Sequence, residues 1–166
     1  MERRDIEIMA PVGSYESLMA AIQGGAGSVY FGVEHLNMRS RSANNFTLDD
    51  LRKIVDIASR NKVKTYLTLN VEIFDGEIQQ MHKILQAAKE AGVSAVIAAD
   101  VSVIQYARSI GLEVHISTQV NITNIEAVKF YSMFADVVVL AREMNLGRVW
   151  EISDQIKREQ IKGPSG

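Results

Sequence analysis

Short apolar segments alternate with amphipathic segments along the whole chain, and this alternation restricts the fold more than any other feature. The apolar segments favour strands, and the segments between them carry apolar residues at helical spacing. The predicted strands cover residues 6–11, 28–32, 64–70, 95–100, the start of 113–124, and 136–143. Strands that alternate with helices form a parallel sheet through right-handed crossovers, so we predict an α/β fold.

Capping residues support the predicted helices. Ser14 and Thr47 stand where two helices should begin, and Asp75 opens a third. Gly92 and Gly111 stand where the third and fourth helices should end. Each helix therefore fits between two predicted strands, as a β-α repeat requires.

The alternation within the third strand distinguishes a barrel from an open sheet. Tyr66, Thr68 and Asn70 would share one face, and Leu67 and Leu69 the other. An open sheet covered by helices on both sides should be apolar on both faces, whereas a barrel strand points alternate residues inward. We therefore predict a TIM-barrel-like arrangement of six β-α units from an incomplete eight-fold barrel.

The chain length bears on domain organisation. A complete barrel needs about 250 residues, and this chain has 166. We expect one domain over residues 1–166 that forms the truncated amino-terminal part of a longer protein. The edges of the first and sixth strands should then be exposed and could pair with a second copy, so a dimer is expected.

Composition excludes several classes of function. A net charge of -2 and a pI near 5.9 argue against a nucleic-acid surface built on bulk basicity. The chain has no cysteine, so it can form no disulfide, cysteine nucleophile or cysteine-ligated cluster of its own. The amino terminus resembles neither a signal peptide nor a membrane anchor. We expect a cytoplasmic protein that does not enter a membrane.

Polar residues follow four of the predicted strands at their carboxyl ends, where parallel α/β proteins build sites. The candidates for substrate binding are Asn70, Asp100, Gln119, Arg142 and Glu143. An arginine at this rim could hold a carboxylate or phosphate through two hydrogen bonds. The alternatives are that the first two side chains only cap helices and that the last two neutralise each other.

Two further groups of candidates lie in loops. Asn121 could bind a ligand with its neighbour Gln119 or could serve loop hydrogen bonding. Arg39, Arg41 and Asn44, followed by another asparagine, could bind phosphate or a substrate carboxylate, or could form a solvated loop.

No catalytic residue and no metal site can be assigned from the residues. His35, His82 and His115 lack the spacing of metal ligands, and His115 is better interpreted as a hydrogen-bonded barrel residue. The chain contains no HExxH motif and no serine in a nucleophile elbow. No known proteolytic apparatus can therefore be assembled from these residues.

Five segments together resemble the amino-terminal barrel region of the collagenase-like peptidases, peptidase family U32. They are IMAPVGSYESLMAAIQGGAGSVYFG, NMRSRSANNFTLDDL, TYLTLN, HISTQVNITN and VVLARE. The resemblance covers nearly the whole chain in order. It implies a barrel protein of a family named for peptidases, whose better-understood members act in oxygen-independent hydroxylation of transfer RNA, ribosomal RNA or ubiquinone precursors.

The resemblance also implies cofactors and partners. The hydroxylating members carry an iron–sulfur cluster, and the RNA enzymes use prephenate as oxygen source. This chain lacks the family's cysteine-rich segment, so we expect no cofactor here and a cluster held by cysteines beyond Gly166. RNA binding would likewise need the carboxyl-terminal part. The resemblance places the segment with Arg39 and Arg41 over the mouth of the site.

Two functions remain open from the sequence. The chain is either the substrate-binding barrel portion of a family U32 enzyme, for hydroxylation in preference to proteolysis, or a non-catalytic module that binds an anion or a partner chain. In the first case a small anion such as prephenate is the expected ligand.

Overall fold

The computed structural model of the protein describes residues 6–36 and 46–166. Six parallel strands form one sheet in which each strand lies beside the next one in sequence. The strands are β1 (Met9–Pro11), β2 (Ser28–Phe31), β3 (Lys64–Leu69), β4 (Ala95–Ala98), β5 (Glu113–Ile116) and β6 (Val137–Val138). This sequential order confirms the half-barrel prediction, because a doubly wound sheet would place its first strand in the interior.

A helix follows each strand and returns the chain to the amino end of the sheet. The helices are α1 (Tyr15–Gln23), α2 (Leu48–Arg60), α3 (Ile78–Ala91), α4 (Val101–Ser109), α5 (Ile125–Ser132) and α6 (Leu146–Arg158). Short 3-10 turns precede α3 at Asp75–Glu77 and α5 at Thr118–Val120. The predicted alternation is thus present in all six units.

The two faces of the sheet carry different cores. Leu67 and Leu69 of β3 point towards the helices and are fully buried in the main core, together with Ile116 of β5. Tyr66 and Ile97 belong to a separate small cluster on the concave face. The predicted inward and outward parity of β3 is therefore confirmed.

Two helix starts show how the sequence fixes the local structure. The Thr47 hydroxyl accepts a hydrogen bond from the Asp50 amide at 3.2 Å, and an Asp50 carboxylate oxygen accepts from the Thr47 amide at 3.0 Å. This reciprocal pair is a capping box, which satisfies two amides at the start of α2. Ser14 caps α1 in the same way, with Ser17 as its partner. Both predicted caps are confirmed.

Some predicted boundaries are wrong. The first strand was expected over residues 6–11 but begins at Met9, although the Ile8 carbonyl still accepts a hydrogen bond from the Gly27 amide at 2.9 Å. The last strand was expected over 136–143 and covers only Val137–Val138. Its partner β5 ends at Ile116 and gives way to a 3-10 turn, so residues beyond 139 have no continuous neighbouring strand.

A polar network lies on the concave face at the amino end of the sheet, and we call it the barrel floor. Glu7 accepts hydrogen bonds from the Tyr66 hydroxyl at 2.6 Å and from the Lys64 ammonium at 2.9 Å. The Tyr66 ring lies 4.7 Å from that of His115, whose Nε2 is 2.8 Å from a Glu113 oxygen. His115 is thus a hydrogen-bonded barrel residue, as predicted. These contacts join β3 to β5 and to the segment before β1.

The barrel floor should make folding stability sensitive to acid. Burial alone would raise the pKa of Glu7, but hydrogen bonds from Lys64 and Tyr66 outweigh it and lower the pKa from 4.5 to about 2. A lowered folded-state pKa adds stability above pH 4.5 that is lost as the pH falls towards 2. The Glu7 side chain is 36% exposed, so solvent screening should limit this contribution to about 1 kcal/mol.

We therefore expect the free energy of unfolding to fall by about 1 kcal/mol more in the wild type than in Glu7→Gln between pH 5 and pH 2. Urea denaturation at several pH values measures this difference. Lys129→Met is a control, since it removes an exposed ion-pair partner away from the floor. Equal acid dependence of the wild type and Glu7→Gln would contradict the prediction.

Candidate functional site

The carboxyl end of the sheet opens into a cavity of about 380 Å³, which we call the mouth cavity. Its wall combines inward-facing strand residues with residues of the loops that follow the strands. The lining residues are Met9, Tyr30, Thr68, Asn70, Ile97, Ser117, Thr118, Gln119, Val139 and Arg142. The cavity thus lies where barrel proteins bind ligands.

A second cavity of about 460 Å³, the rim pocket, lies over the loops after β3, β4 and β5. Asn70 and Gln119 line both cavities, whereas Asp100 lines only the rim pocket and Arg142 only the mouth cavity. Four of the five residues expected at one rim therefore line these two adjoining cavities, and Asn70 and Gln119 belong to both. The fifth, Glu143, lines neither cavity.

Arg142 projects from a short turn whose backbone is anchored on both sides. The Ala141 amide donates to the Ile122 carbonyl at 2.9 Å, and the Met144 amide donates to the Ala141 carbonyl at 3.3 Å. Ala141 is buried, while Arg142 and Glu143 are exposed. Among the described residues, no carboxylate forms an ion pair with Arg142, so its guanidinium is not neutralised by Glu143.

Ser117 organises the wall shared by the two cavities. Its hydroxyl oxygen accepts hydrogen bonds from the Asn70 side-chain amide at 3.4 Å and from the Gln119 backbone amide at 3.3 Å. Ser117 is buried, and the Gln119 side chain is exposed on the 3-10 turn. The buried serine therefore connects the ends of β3 and β5 and leaves the Gln119 carboxamide available to a ligand.

Asn121 ends this 3-10 turn in the left-handed conformation, with φ of 55°. Asparagine adopts that conformation more readily than most residues. The Asn121 amide donates to the Thr118 carbonyl at 3.0 Å, and its side chain lines neither cavity. The observed contacts of Asn121 are those of a loop residue.

Asp100 caps α4. One carboxylate oxygen accepts from the Ser102 amide at 2.8 Å and from the Ser102 hydroxyl at 2.5 Å, and the other accepts from the Ile73 amide at 3.2 Å. Burial would raise the pKa of Asp100, but these hydrogen bonds outweigh it, and the pKa is lowered. The contacts of this carboxylate are therefore those of a helix cap. Asp100 lines the rim pocket, but both of its carboxylate oxygens already accept hydrogen bonds from the protein.

Several lining residues were not among the sequence candidates. Thr68 and Ser117 are buried in the wall of the mouth cavity, and Tyr30 and Thr118 are half-buried there. Strand parity could have identified Thr68, because it shares the inward face of β3 with Asn70. Arg39, Arg41 and Asn44 lie outside the described residues.

The residues present do not fit an iron–sulfur cluster. The chain has no cysteine to supply thiolates, and no group of three potential metal ligands occurs in the part of the chain that the structure describes. Within those same residues, no helix has both the length and the apolar character needed to cross a bilayer.

Proteolytic machinery is also not seen in the described residues. No serine hydroxyl among them is hydrogen-bonded to a histidine ring, as a catalytic serine and its base require. His115 contacts Glu113 on the barrel floor, and His82 stacks on Tyr106 at a ring distance of 3.7 Å on the outside of the barrel.

Comparisons with known proteins agree with this architecture. The family model of peptidase family U32 matches residues 13–161. A protein named collagenase from Porphyromonas gingivalis is 59% identical over 166 residues, which is all of this chain and 40% of that protein. A protein named tRNA hydroxylation protein P1 from Bacillus subtilis is 33% identical over 156 residues, which is 92% of this chain and 37% of that protein.

A solved structure supports the fold. The U32 peptidase Mk0906 superposes with a TM-score of 0.72 at 16% sequence identity, covering 89% of this chain and 64% of that one. At this identity the likeness concerns the fold alone. The chain spans less than half the length of the two curated relatives.

Proposed function

The chain belongs to peptidase family U32, and we propose that it is the substrate-binding barrel portion of a hydroxylation enzyme of that family. In this proposal the mouth cavity holds a small carboxylate ligand, with prephenate as the first candidate, between Arg142 and the amides of Asn70 and Gln119. The relative named for tRNA hydroxylation supports the assignment, since it aligns with 92% of the chain.

Arg142 is the observation on which the proposal rests. Its guanidinium lines a cavity of about 380 Å³, and no described carboxylate neutralises it. A planar guanidinium can donate two parallel hydrogen bonds to a carboxylate. The side-chain amide of Gln119, which is exposed on the same wall, adds a donor that suits a second carboxylate or a carbonyl group.

The volume of the mouth cavity and the net charge of the chain favour a small ligand over direct RNA binding by these residues. A cavity of a few hundred cubic ångströms is typical of small-molecule sites. The chain carries a net charge of -2, whereas affinity for a nucleic acid rises with the number of phosphates that cationic side chains neutralise. We propose that RNA, if it is the modified substrate, contacts parts of the full-length protein beyond this chain.

Proteolysis is the second candidate function, because the relative named collagenase is 59% identical over the whole chain. This identity is higher than that of the hydroxylation relative, so the cleavage of gelatin must be tested directly. A third possibility is a non-catalytic barrel that binds only an anion or a partner chain. This alternative also predicts anion binding by the chain, but it predicts no enzymatic activity of the full-length protein.

We expect Arg142→Ala to weaken the binding of prephenate and of inorganic phosphate at least tenfold, because one charge-assisted hydrogen bond contributes about 1.5–3 kcal/mol. Isothermal titration calorimetry of the 166-residue chain measures both affinities. Arg108→Ala is the matched control, since Arg108 is an exposed arginine in the last turn of α4, away from the mouth.

Two results would contradict the proposal. Equal affinities in the wild type and Arg142→Ala would remove this arginine from the site. Cleavage of gelatin by the purified chain, absent from a mock preparation, would favour the proteolytic function.

A further inference from the structure

An exposed apolar patch lies on the outside of the barrel where α5 ends. It consists of Phe130, Met133 and Phe134, and we call it the α5 patch. These residues are 54%, 59% and 36% exposed, respectively. Their spacing of three and four residues puts them on one side of the helical turn, and the rings of Phe130 and Phe134 are 5.6 Å apart. The three residues therefore form one apolar surface.

Completion of the barrel would not cover this patch. β5 lies between β4 and β6 in the sheet, so further units could join only at the free edges of β6 and β1. Trp150 is also exposed, but it belongs to the last unit, beside the free edge of β6, where a following unit would pack. The unit that carries the α5 patch already has a neighbouring unit on each side. The exposure of the patch therefore needs another explanation.

The composition of the α5 patch is that of a protein interface. Soluble monomers rarely expose large contiguous apolar surfaces, and those that they do expose often mark interaction sites. Aromatic residues and methionine are enriched in the cores of interfaces. Two phenylalanines and a methionine on one exposed surface thus indicate a protein partner.

The charges beside the patch indicate which partner fits. The Lys129 ammonium lies between two carboxylates, 3.1 Å from Glu126 and 2.7 Å from Glu159. This border carries charges of both signs, whereas a strongly acidic or basic partner is selected by a row of like charges. A border of both signs can pair with a copy of itself, because across a twofold axis Lys129 of one copy can face Glu126 of the other.

We infer that the α5 patch is an interface between two copies of this chain, related by a twofold axis that passes near Phe130. The apolar side chains of the two patches pack against each other, and the ion pairs of Lys129 form part of the polar rim. This inference does not depend on the ligand proposed for the mouth cavity.

Sedimentation velocity at increasing concentrations of the chain measures its self-association. We expect a monomer–dimer equilibrium that Phe130→Glu weakens at least tenfold, because two like charges replace an aromatic contact at the centre of the interface. Phe130→Lys should weaken it to a similar extent. A mixture of the two variants should dimerise again, since a carboxylate of one copy then meets an ammonium of the other.

Trp150→Glu is the matched control, because it places the same charge at another exposed aromatic position, on α6. This variant should dimerise like the wild type. Met133→Glu repeats the test at a second position of the patch and should weaken the dimer as Phe130→Glu does. Circular dichroism of each variant checks that it is folded.

Three results would overturn the inference. A wild-type chain that stays monomeric at millimolar concentration would show that the patch has a different partner. A dimer that is lost in Trp150→Glu and kept in Phe130→Glu and Met133→Glu would place the interface at the free edge of the sheet. A mixture of the two Phe130 variants that stays monomeric would contradict a twofold contact at this residue.

Discussion

Ile116→Ala should lower the free energy of unfolding by about 4 kcal/mol, and Ile97→Ala by about 2 kcal/mol. The two isoleucines lie on neighbouring strands, β5 and β4, but on opposite faces of the sheet. Ile116 is fully buried in the main core between sheet and helices, whereas Ile97 belongs to a cluster of a few residues on the concave face. The first substitution leaves a cavity enclosed on all sides, and the second leaves one beside the open mouth.

Urea denaturation of both variants measures the difference, and Ile116→Val and Ile97→Val serve as milder controls. Each valine variant should lose roughly 0.5–1.5 kcal/mol, with the same order between the two sites. Equal losses for the two alanine variants would show that the concave face is packed as tightly as the helix-facing core. That result would contradict an open mouth cavity.

Gly163→Ala should cost about 1–3 kcal/mol, because the new methyl group would overlap backbone atoms that cannot move independently. An added Cβ would lie 2.6 Å from the Asp136 Cα and 2.7 Å from the Ala135 carbonyl oxygen. The Ser165 amide donates to Asp136 Oδ1 at 2.7 Å and fixes the same close approach. The segment after α6 is thereby held against the residues that precede β6.

Gly76→Ala is the matched control, since an added Cβ there meets no atom within 4 Å and Gly76 has no positive φ. This variant should unfold within about 0.5 kcal/mol of the wild type. A Gly163→Ala protein as stable as Gly76→Ala would show that the segment after α6 can shift away from Asp136 at no cost.

The overall architecture could be predicted because its signals are local and repeated. Alternating strand and helix patterns, helix caps at Ser14 and Thr47, and the parity of β3 all point to a parallel sheet with one inward face. The limits of β6 could not be predicted, because strand length depends on where the neighbouring strand ends. The half-buried position of His82 against Tyr106 could not be predicted either, because it is a tertiary contact without a signature in the sequence.

The candidate site could be predicted only in part. The rule that parallel strands place polar residues at their carboxyl ends located Asn70, Gln119 and Arg142 on the wall of one cavity. The same rule could not distinguish Asp100 from the residues that are available to a ligand. The Asp100 carboxylate accepts hydrogen bonds from Ser102 and from the Ile73 amide, and the second of these depends on the path of a neighbouring loop. Hydrogen-bond saturation is a property of the folded chain.

Amide chemical-shift mapping during titration with succinate tests most directly whether the mouth cavity binds a carboxylate. We predict the largest changes at Asn70, Gln119 and Arg142, with no change at Glu7 or Glu113 on the barrel floor at the opposite end of the sheet. The same titration of Arg142→Ala should show much smaller changes. Changes confined to the barrel floor, or a spectrum unaltered at saturating succinate, would contradict a carboxylate site at the mouth of this barrel.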